Sequence, residues 1–139
     1  MYFYQSQTAS PDPLKYQDHI AKKGRMYRSD IRDINSGKLL SRELIRYDMR
    51  TIGNRWLVFP LYKVSNVFDS DGSHADTAVS YVTDDMGNTT RETQHGFVTA
   101  NLDNGTFVDI PSDTITTDRT FISNPASNLY GFVSTEQVT

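Results

Sequence analysis

The sequence predicts a mainly β fold, an antiparallel β-sandwich or small barrel with one short N-terminal helix, and leaves an α+β fold as the alternative. Several stretches alternate apolar and polar residues, and turn residues separate them at intervals of about 8–12 residues. Ser, Thr and Asn account for 36 of the 139 residues, which is typical of antiparallel sheets with a polar outer face. We therefore expect strands over most of the chain.

The length of 139 residues predicts a single domain over residues 1–139, since a domain typically holds about 100–150 residues. The chain has no cysteine, which excludes a disulfide framework, a thiolate metal site and a cysteine nucleophile. The terminal segments, at about residues 1–11 and 123–139, are predicted to be extended arms.

A short helix is predicted over residues 13–23. Asp12 suits the N-cap position and Pro13 the first helical position, while Gly24 is a natural stop. Leu14 begins a partial apolar stripe between these signals. The one predicted helix therefore follows directly after the N-terminal arm.

The segment from residue 38 to residue 51 is harder to assign. Its composition has good helix propensity, but Ile45 and Tyr47 alternate with charged neighbours, which favours a strand over residues 44–51. The segment 26–34 has no clear period, so its structure stays open.

The remaining chain carries β signals separated by turns. Strands are predicted over residues 55–67, 77–83, 89–93, 96–101, 106–110 and 120–122. Pro60 indicates a bulge or an edge position in the first of these. Because Asn104-Gly105 favours a tight turn, the segments on either side of it are predicted to form a hairpin.

The net charge of −3 hides an uneven distribution. Residues 1–63 contain twelve Lys and Arg against six Asp and Glu, whereas residues 64–139 contain two against eleven. Such asymmetry is typical of proteins with charged partners, although the halves can also intermix and cancel. The pI of about 5.5 disfavours nucleic acid as that partner, because nucleic-acid domains usually have a pI above about 9.

Contacts between protein subunits are predicted instead. A spacing of four places the arginines of residues 42–50 on one face of a helix or a strand, and arginine is enriched at protein interfaces. Both chain ends are aromatic and nearly uncharged, so they either add a strand to a neighbour's sheet or dock on their own domain. The predicted interface residues are Tyr2, Phe3, Tyr4, Arg42, Arg46, Arg50, Tyr130 and Phe132.

The segment 69–76 offers the best candidate for a metal site, because oxygen donors alternate around Gly72 as in loops that surround Ca²⁺. An EF-hand loop would need glycine and glutamate where this chain has His74 and Ser80, so the EF-hand pattern fails. The candidate ligands are Asp69, Asp71 and Asp76. A solvated acidic turn is the favoured interpretation, and no cofactor is predicted.

The chain carries no motif of an enzyme active site. It has neither a GxSxG nucleophile elbow nor a glycine-rich phosphate loop. The spacings of His19, His74 and His95 do not match a histidine metal site. A Ser-His-Asp arrangement can be imagined from 13 serines and three histidines, but no spacing supports one. We therefore expect no enzymatic activity.

The leading functional hypothesis is a structural protein that forms a homo-oligomer or coats a larger particle. Phage and viral virion components, such as capsid decoration, connector and tail proteins, are objects of this kind, and the comparison is one of analogy. The partners would be copies of the chain or other structural subunits.

Two other functions stay open. One is a small-ligand-binding barrel or α+β enzyme domain, with Trp56, Tyr62, Tyr81 and a histidine in its pocket; the other is a calcium-dependent binding module. The sequence shows no signal peptide and no apolar run of about 18 residues. We therefore expect the protein in a virion or in the cytoplasm, without a membrane partner.

Overall fold

The fold is taken from a computed structural model. The structure describes residues 1–6, 12, 14–15, 18–110, 112–124 and 129–139, without the side chains of residues 123–124 and 129–130. Its strands are β1 (Tyr2–Phe3), β2 (Met26–Arg32), β3 (Leu39–Ile52), β4 (Arg55–Phe68), β5 (His74–Thr83), β6 (Thr89–Ala100), β7 (Phe107–Asp109), β8 (Ile115–Asn124) and β9 (Leu129–Val138). A 3₁₀ helix spans Ile20–Lys22.

The nine strands found in these described residues hydrogen-bond into one antiparallel sheet. Strands β1 to β6 neighbour one another in chain order, β8 and β9 continue the sheet, and β7 pairs with a separate part of β6. The mainly β prediction is confirmed. The small barrel is wrong, because β1 and β9 are the two edges of a sheet that does not close. No α-helix occurs within the described residues, so nothing there supports the α+β alternative.

The buried apolar side chains lie on one face, which we call the inner face. Leu44, Val64 and Ala78 are successive cross-strand partners on β3, β4 and β5, and cross-strand partners share a face. All three are almost completely buried. They belong to two clusters of buried side chains. Leu44 packs in one cluster with Tyr27, and Val64 and Ala78 pack in the other with Val98.

The turn between β6 and β7 folds back over the inner face. Gly105 lies against the Leu44 side chain, in a left-handed conformation with φ of 71°, and a Cβ at this position would collide with that side chain. Arg46 Nη2 donates to the Asn104 carbonyl at 2.8 Å. The predicted hairpin is confirmed by the pairing of Ala100 with Phe107, and it supplies a second layer over the centre of the sheet.

Most predicted strands are confirmed, and several are longer than predicted. The segment 44–51 belongs to β3, and the open segment 26–34 contains β2. Pro60 does mark a bulge. Arg46 and Tyr47 pair with Tyr62 and Pro60, which leaves one extra residue on β4.

The predicted helix over residues 13–23 is wrong for the part that the structure describes, where the only helix is the short 3₁₀ turn. Asp12 does accept a hydrogen bond from the Leu14 N–H at 3.0 Å. However, Lys15 and Asp18 form a buried ion pair at 2.7 Å, and Asp18 also accepts from the Ser6 N–H at 3.0 Å. The bond between Asp18 and Ser6 joins separate segments of the chain, and it outweighs the local helix signals.

Both predicted arms contribute strands to the chain's own sheet. β1 pairs with β2 at one edge, and β9 pairs with β8 over its whole length at the other. Residues 7–11 and 125–128 of those arms lie outside the described residues.

Candidate functional sites

The predicted interface residues of the two termini differ in burial. Tyr4 is 1% exposed and packs on Tyr27 with ring centroids 5.2 Å apart. Tyr2 lies under the Arg28 guanidinium, whose central carbon is 3.7 Å from the ring centroid. Phe3 is partly exposed and Phe132 more so. The backbone of Tyr130 belongs to β9, but its side chain lies outside the described part of the chain.

The three predicted interface arginines make contacts within their own chain. Arg42 Nε pairs with Asp30 Oδ1 at 3.1 Å. Arg46 holds the β6–β7 turn and lies over the Tyr62 ring. Arg50 donates to the backbone carbonyls of residues 83 and 84. These arginines therefore hold strands and turns together.

The halves of the chain meet through some of these contacts. Arg50 Nε lies 3.3 Å from Asp85 Oδ1, which joins the basic half to the acidic half. Other basic groups pair within the basic half, as Lys63 does with Glu43 at 3.5 Å. The charge asymmetry of the sequence is thus partly neutralised inside the fold.

The candidate calcium ligands do not converge. Among the described residues, no group of three or more His, Asp or Glu side chains could hold a metal ion. Asp71 and Asp69 stay in the β4–β5 turn, where their side chains accept from the N–H groups of Ser73 and Ser70. Asp76 lies on the inner face instead, where it is almost fully buried.

The predicted aromatic pocket is not assembled either. Trp56 lies at the tip of the β3–β4 hairpin, about half exposed, with its ring 4.8 Å from the His19 ring. Tyr62 lies six residues further along β4, about 20 Å from Trp56 at roughly 3.3 Å per residue. Its ring packs edge-on against the Phe107 ring, with centroids 5.4 Å apart.

The structure brings together a Ser-His-Asp constellation that no sequence spacing predicts. Ser80 Oγ on β5 lies 2.8 Å from His95 Nε2 on β6. His95 Nδ1 lies 2.8 Å from Asp109 Oδ2 on β7. An ionised carboxylate only accepts, so His95 donates to Asp109 from Nδ1; when neutral, it accepts the Ser80 hydroxyl at Nε2. We call these three residues the Ser-His-Asp cluster.

A bulge in β6 gives His95 its position. Ala78 pairs with Gly96, while the next residue of β5 pairs with Gln94, so His95 is the extra residue. Gly96 has φ of 62°, which costs glycine little. The Asp113 carboxylate occupies the space of a Cβ at residue 96. Bulges of this kind re-aim a side chain locally.

The surroundings of the Ser-His-Asp cluster are partly apolar. The Phe107 ring packs edge-on against the His95 ring, with centroids 5.0 Å apart. The His95 side chain is 15% exposed and that of Asp109 32%. Thr114 Oγ1 lies 3.4 Å from Asp109 Oδ2. Asp109 Oδ1 is buried and, within the described residues, has no hydrogen-bond partner.

A second His–Asp pair lies on the same face. His74 Nδ1 is 2.8 Å from Asp76 Oδ1, which also accepts from Asn66 Nδ2 at 2.7 Å. Asp76 Oδ2 accepts from the Ala100 N–H at 2.9 Å. These hydrogen bonds connect β4, β5 and β6. In the described part of the chain, no serine or threonine hydroxyl bonds to His74.

Strands β8 and β9 form a C-terminal hairpin, and much of it is exposed. The sequence predicts part of this region, residues 123–139, as an extended arm. Within the described strands, β6 pairs with β8 only over residues 115–118 of β8, so residues 119–124 pair with β9 alone. We call residues 119–124 and 129–136 the C-terminal ribbon. Every residue from 131 to 139 is exposed, and Glu136 is the single charged residue of β9.

The pKa values of Lys22, near the β1 end of the sheet, and Asp118, near the β9 end, are shifted for different reasons. Burial lowers the pKa of Lys22, because desolvation outweighs the attraction of Asp48 and Asp18. Lys22 Nζ donates to the Tyr47 carbonyl at 2.7 Å. At the other end, the hydrogen bond from Arg91 lowers the pKa of Asp118 in an exposed ion pair.

Comparisons with models of known protein families, with curated proteins and with solved structures gave no match to this chain. None of the helical structure in the described residues is long and apolar enough to cross a membrane.

Proposed function

We propose that the protein is a β-rich assembly subunit that self-associates through its C-terminal ribbon. The observation that supports this is exposed apolar surface on both faces of the ribbon. Phe132 and Val133 are 59% and 51% exposed, and consecutive residues of a strand point to opposite faces. Their cross-strand partners, Ile122 and Phe121, are also apolar.

An isolated two-stranded ribbon gains little stability in water. Burial of apolar surface stabilises by about 25 cal/mol per Å², and the ribbon leaves this contribution unused in the single chain. Association through the ribbon would bury these side chains and stabilise the hairpin at the same time.

The partner that we propose is a second copy of the chain. Arg119 Nε pairs with Glu136 Oε2 at 2.6 Å within the ribbon, so two copies would meet without repulsion between net charges. Bulges near Gly131 and Ser134 interrupt the β9 ladder. Because bulges discourage endless edge-to-edge strand addition, we propose closed packing of ribbon against ribbon. Subunits of a virion or another large particle would be one use of such a contact.

The experiment measures the mass of the chain in solution at about 100 µM, where an interface with a Kd of about 10 µM is mostly formed. We expect the wild-type chain to have the mass of a dimer or a larger oligomer of the 15.8 kDa chain. The double variant Phe132→Asp, Val133→Asp should be monomeric, because two carboxylates would be buried without partners in the contact.

Ile34→Asp is the matched control. Ile34 lies in the turn between β2 and β3 and is 95% exposed, so this variant adds a charge at an apolar surface outside the ribbon and should keep the wild-type mass. A monomeric wild-type chain would overturn the proposal. So would a double variant that keeps the wild-type mass.

A further inference from the structure

The Ser-His-Asp cluster has the connectivity of a nucleophilic catalytic site. We propose that Ser80, His95 and Asp109 hydrolyse carboxylic esters with an uncharged acyl group. In this order, a hydroxyl bonds to one imidazole nitrogen and a carboxylate orients the other, which is the arrangement that activates serine on unrelated folds. The cluster lies within one chain, so this proposal does not depend on self-association.

The environment of Asp109 differs from that of Asp76 in the second His–Asp pair. In the second pair, both oxygens of Asp76 have donors. Asp109 Oδ1, by contrast, is buried without a hydrogen-bond partner in the described part of the chain. The Asp109 carboxylate orients the imidazole by accepting a hydrogen bond from His95 Nδ1 at 2.8 Å.

The proposed hydrolysis has two stages, acylation and deacylation of Ser80, and His95 transfers the proton in both. Ser80 Oγ attacks the ester carbonyl carbon while its proton passes to His95 Nε2. The tetrahedral intermediate collapses, the bond to the leaving oxygen breaks, and His95 returns the proton to that oxygen, which departs as an alcohol. Water then attacks the acyl-Ser80 ester by the same route, releasing a carboxylic acid and restoring the Ser80 hydroxyl.

The side chains around Ser80 indicate the acyl group. Tyr62 is the cross-strand partner of Ser80, and its ring packs against Phe107, which in turn packs against His95. These rings give the cluster a largely apolar flank, although Arg46 lies over the Tyr62 ring, and this flank favours an acyl group without charge. General-base activation contributes about 10²–10⁴-fold to reactivity, and this range sets the expected effect.

The first experiment treats the intact wild-type protein with a fluorophosphonate ester and maps the modified serines by mass spectrometry. Ser80 Oγ would bond to phosphorus with loss of fluoride, and its proton would leave through His95 to solvent. We expect Ser80 to react at least about 100-fold faster than the other serines. The preference should disappear in 6 M guanidinium chloride, on the order of the concentrations that unfold even very stable domains. A smaller preference in the native protein overturns the proposal.

The second experiment measures turnover of p-nitrophenyl acetate. A free histidine also hydrolyses this ester, so the decisive comparison is between wild type and Ser80→Ala, with His95→Gln beside it. Both variants should lose at least about 90% of the rate, since general-base activation is removed, while keeping the wild-type circular dichroism spectrum. His74→Gln is the matched control: it disrupts the other His–Asp pair and should leave labelling of Ser80 unchanged. Retention of the rate by a folded Ser80→Ala chain would overturn the hydrolytic step.

Discussion

Near the β1 end of the sheet, several polar and aromatic side chains next to β1 are enclosed by their own chain, whereas the residues of β9 from Gly131 onward face solvent. Tyr4 and Lys22 are fully buried beside β1 and β2, and Asp30 is held among three arginines. On β9, every residue from 131 onward is exposed. We therefore expect charged and aromatic residues to stabilise the sheet more where other parts of the chain cover them than where they face solvent.

The largest expected difference between the two ends comes from aromatic truncation. Tyr4→Ala should lower the free energy of unfolding by about 3–5 kcal/mol, because it removes a buried ring and leaves a cavity. Phe132→Ala should change it by less than about 0.5 kcal/mol in the monomer, since the ring is exposed. Urea denaturation at low protein concentration measures both values. Equal losses would show that the β9 end is as enclosed as the β1 end.

Removal of one carboxylate at each end should give a smaller difference. Asp30→Ala should cost about 1.5–3 kcal/mol, because it deprives half-buried guanidinium groups of a charged hydrogen-bond partner. Asp118→Ala breaks an exposed pair with Arg91 and should cost much less, with the remaining effect screened by salt. Thermal unfolding at low and at high ionic strength tests this order, and a loss at Asp118 that matches Asp30 would contradict it.

Alkaline pH should act on the β1 end. Burial raises the pKa of Tyr4 from 10.0 to about 12, so the folded chain keeps a proton that the unfolded chain releases. The stability from this group is complete below about pH 10 and is lost as the pH rises through about 12. Tyr4→Phe should make stability fall less steeply over that window in denaturant titrations. An unchanged slope would remove Tyr4 as a cause.

Acid pH should act, more weakly, on the β9 end. The hydrogen bond from Arg91 lowers the pKa of Asp118, so its contribution is present above the unfolded value of about 3.9. It is lost as the pH falls through the lower folded value. Asp118→Asn should slightly flatten the acid decline in stability at low salt and have no effect at high salt, as measured by chemical denaturation between about pH 2 and 6. A salt-independent change would contradict this surface origin.

The strands were predictable where local pattern and tertiary environment agree. The alternation around Tyr81 and the Asn104-Gly105 turn predicted β5 and the β6–β7 hairpin. The helix at residues 13–23 failed because its capping signal at Asp12 serves a turn, while Asp18 bonds the backbone of the N-terminal strand region. Such contacts between distant segments leave no local pattern to detect.

The candidate sites were less predictable than the fold. Phe132 was predicted as an interface residue from the aromatic C-terminus, and it is exposed on β9. The Ser-His-Asp cluster depends on the pairing of three strands and on one extra residue at His95. A signal did exist, since His95-Gly96 interrupts two β segments as a bulge would, but which serine and aspartate face that bulge follows only from the register.

The chain order of the strands also bears on how the protein folds. From β3 to β6 each strand pairs with the one that precedes it, and the connections between these strands are short, so each of these steps closes a loop at low entropic cost. β8 pairs with β6, although β7 lies between these two strands in the chain. This pairing therefore closes a longer loop, and we expect it to form later and more slowly. We expect a nucleus at the β3–β4 hairpin, growth to both sides, and completion at β9. During synthesis, the segment proposed for assembly would then become available last, after the rest of the sheet has formed.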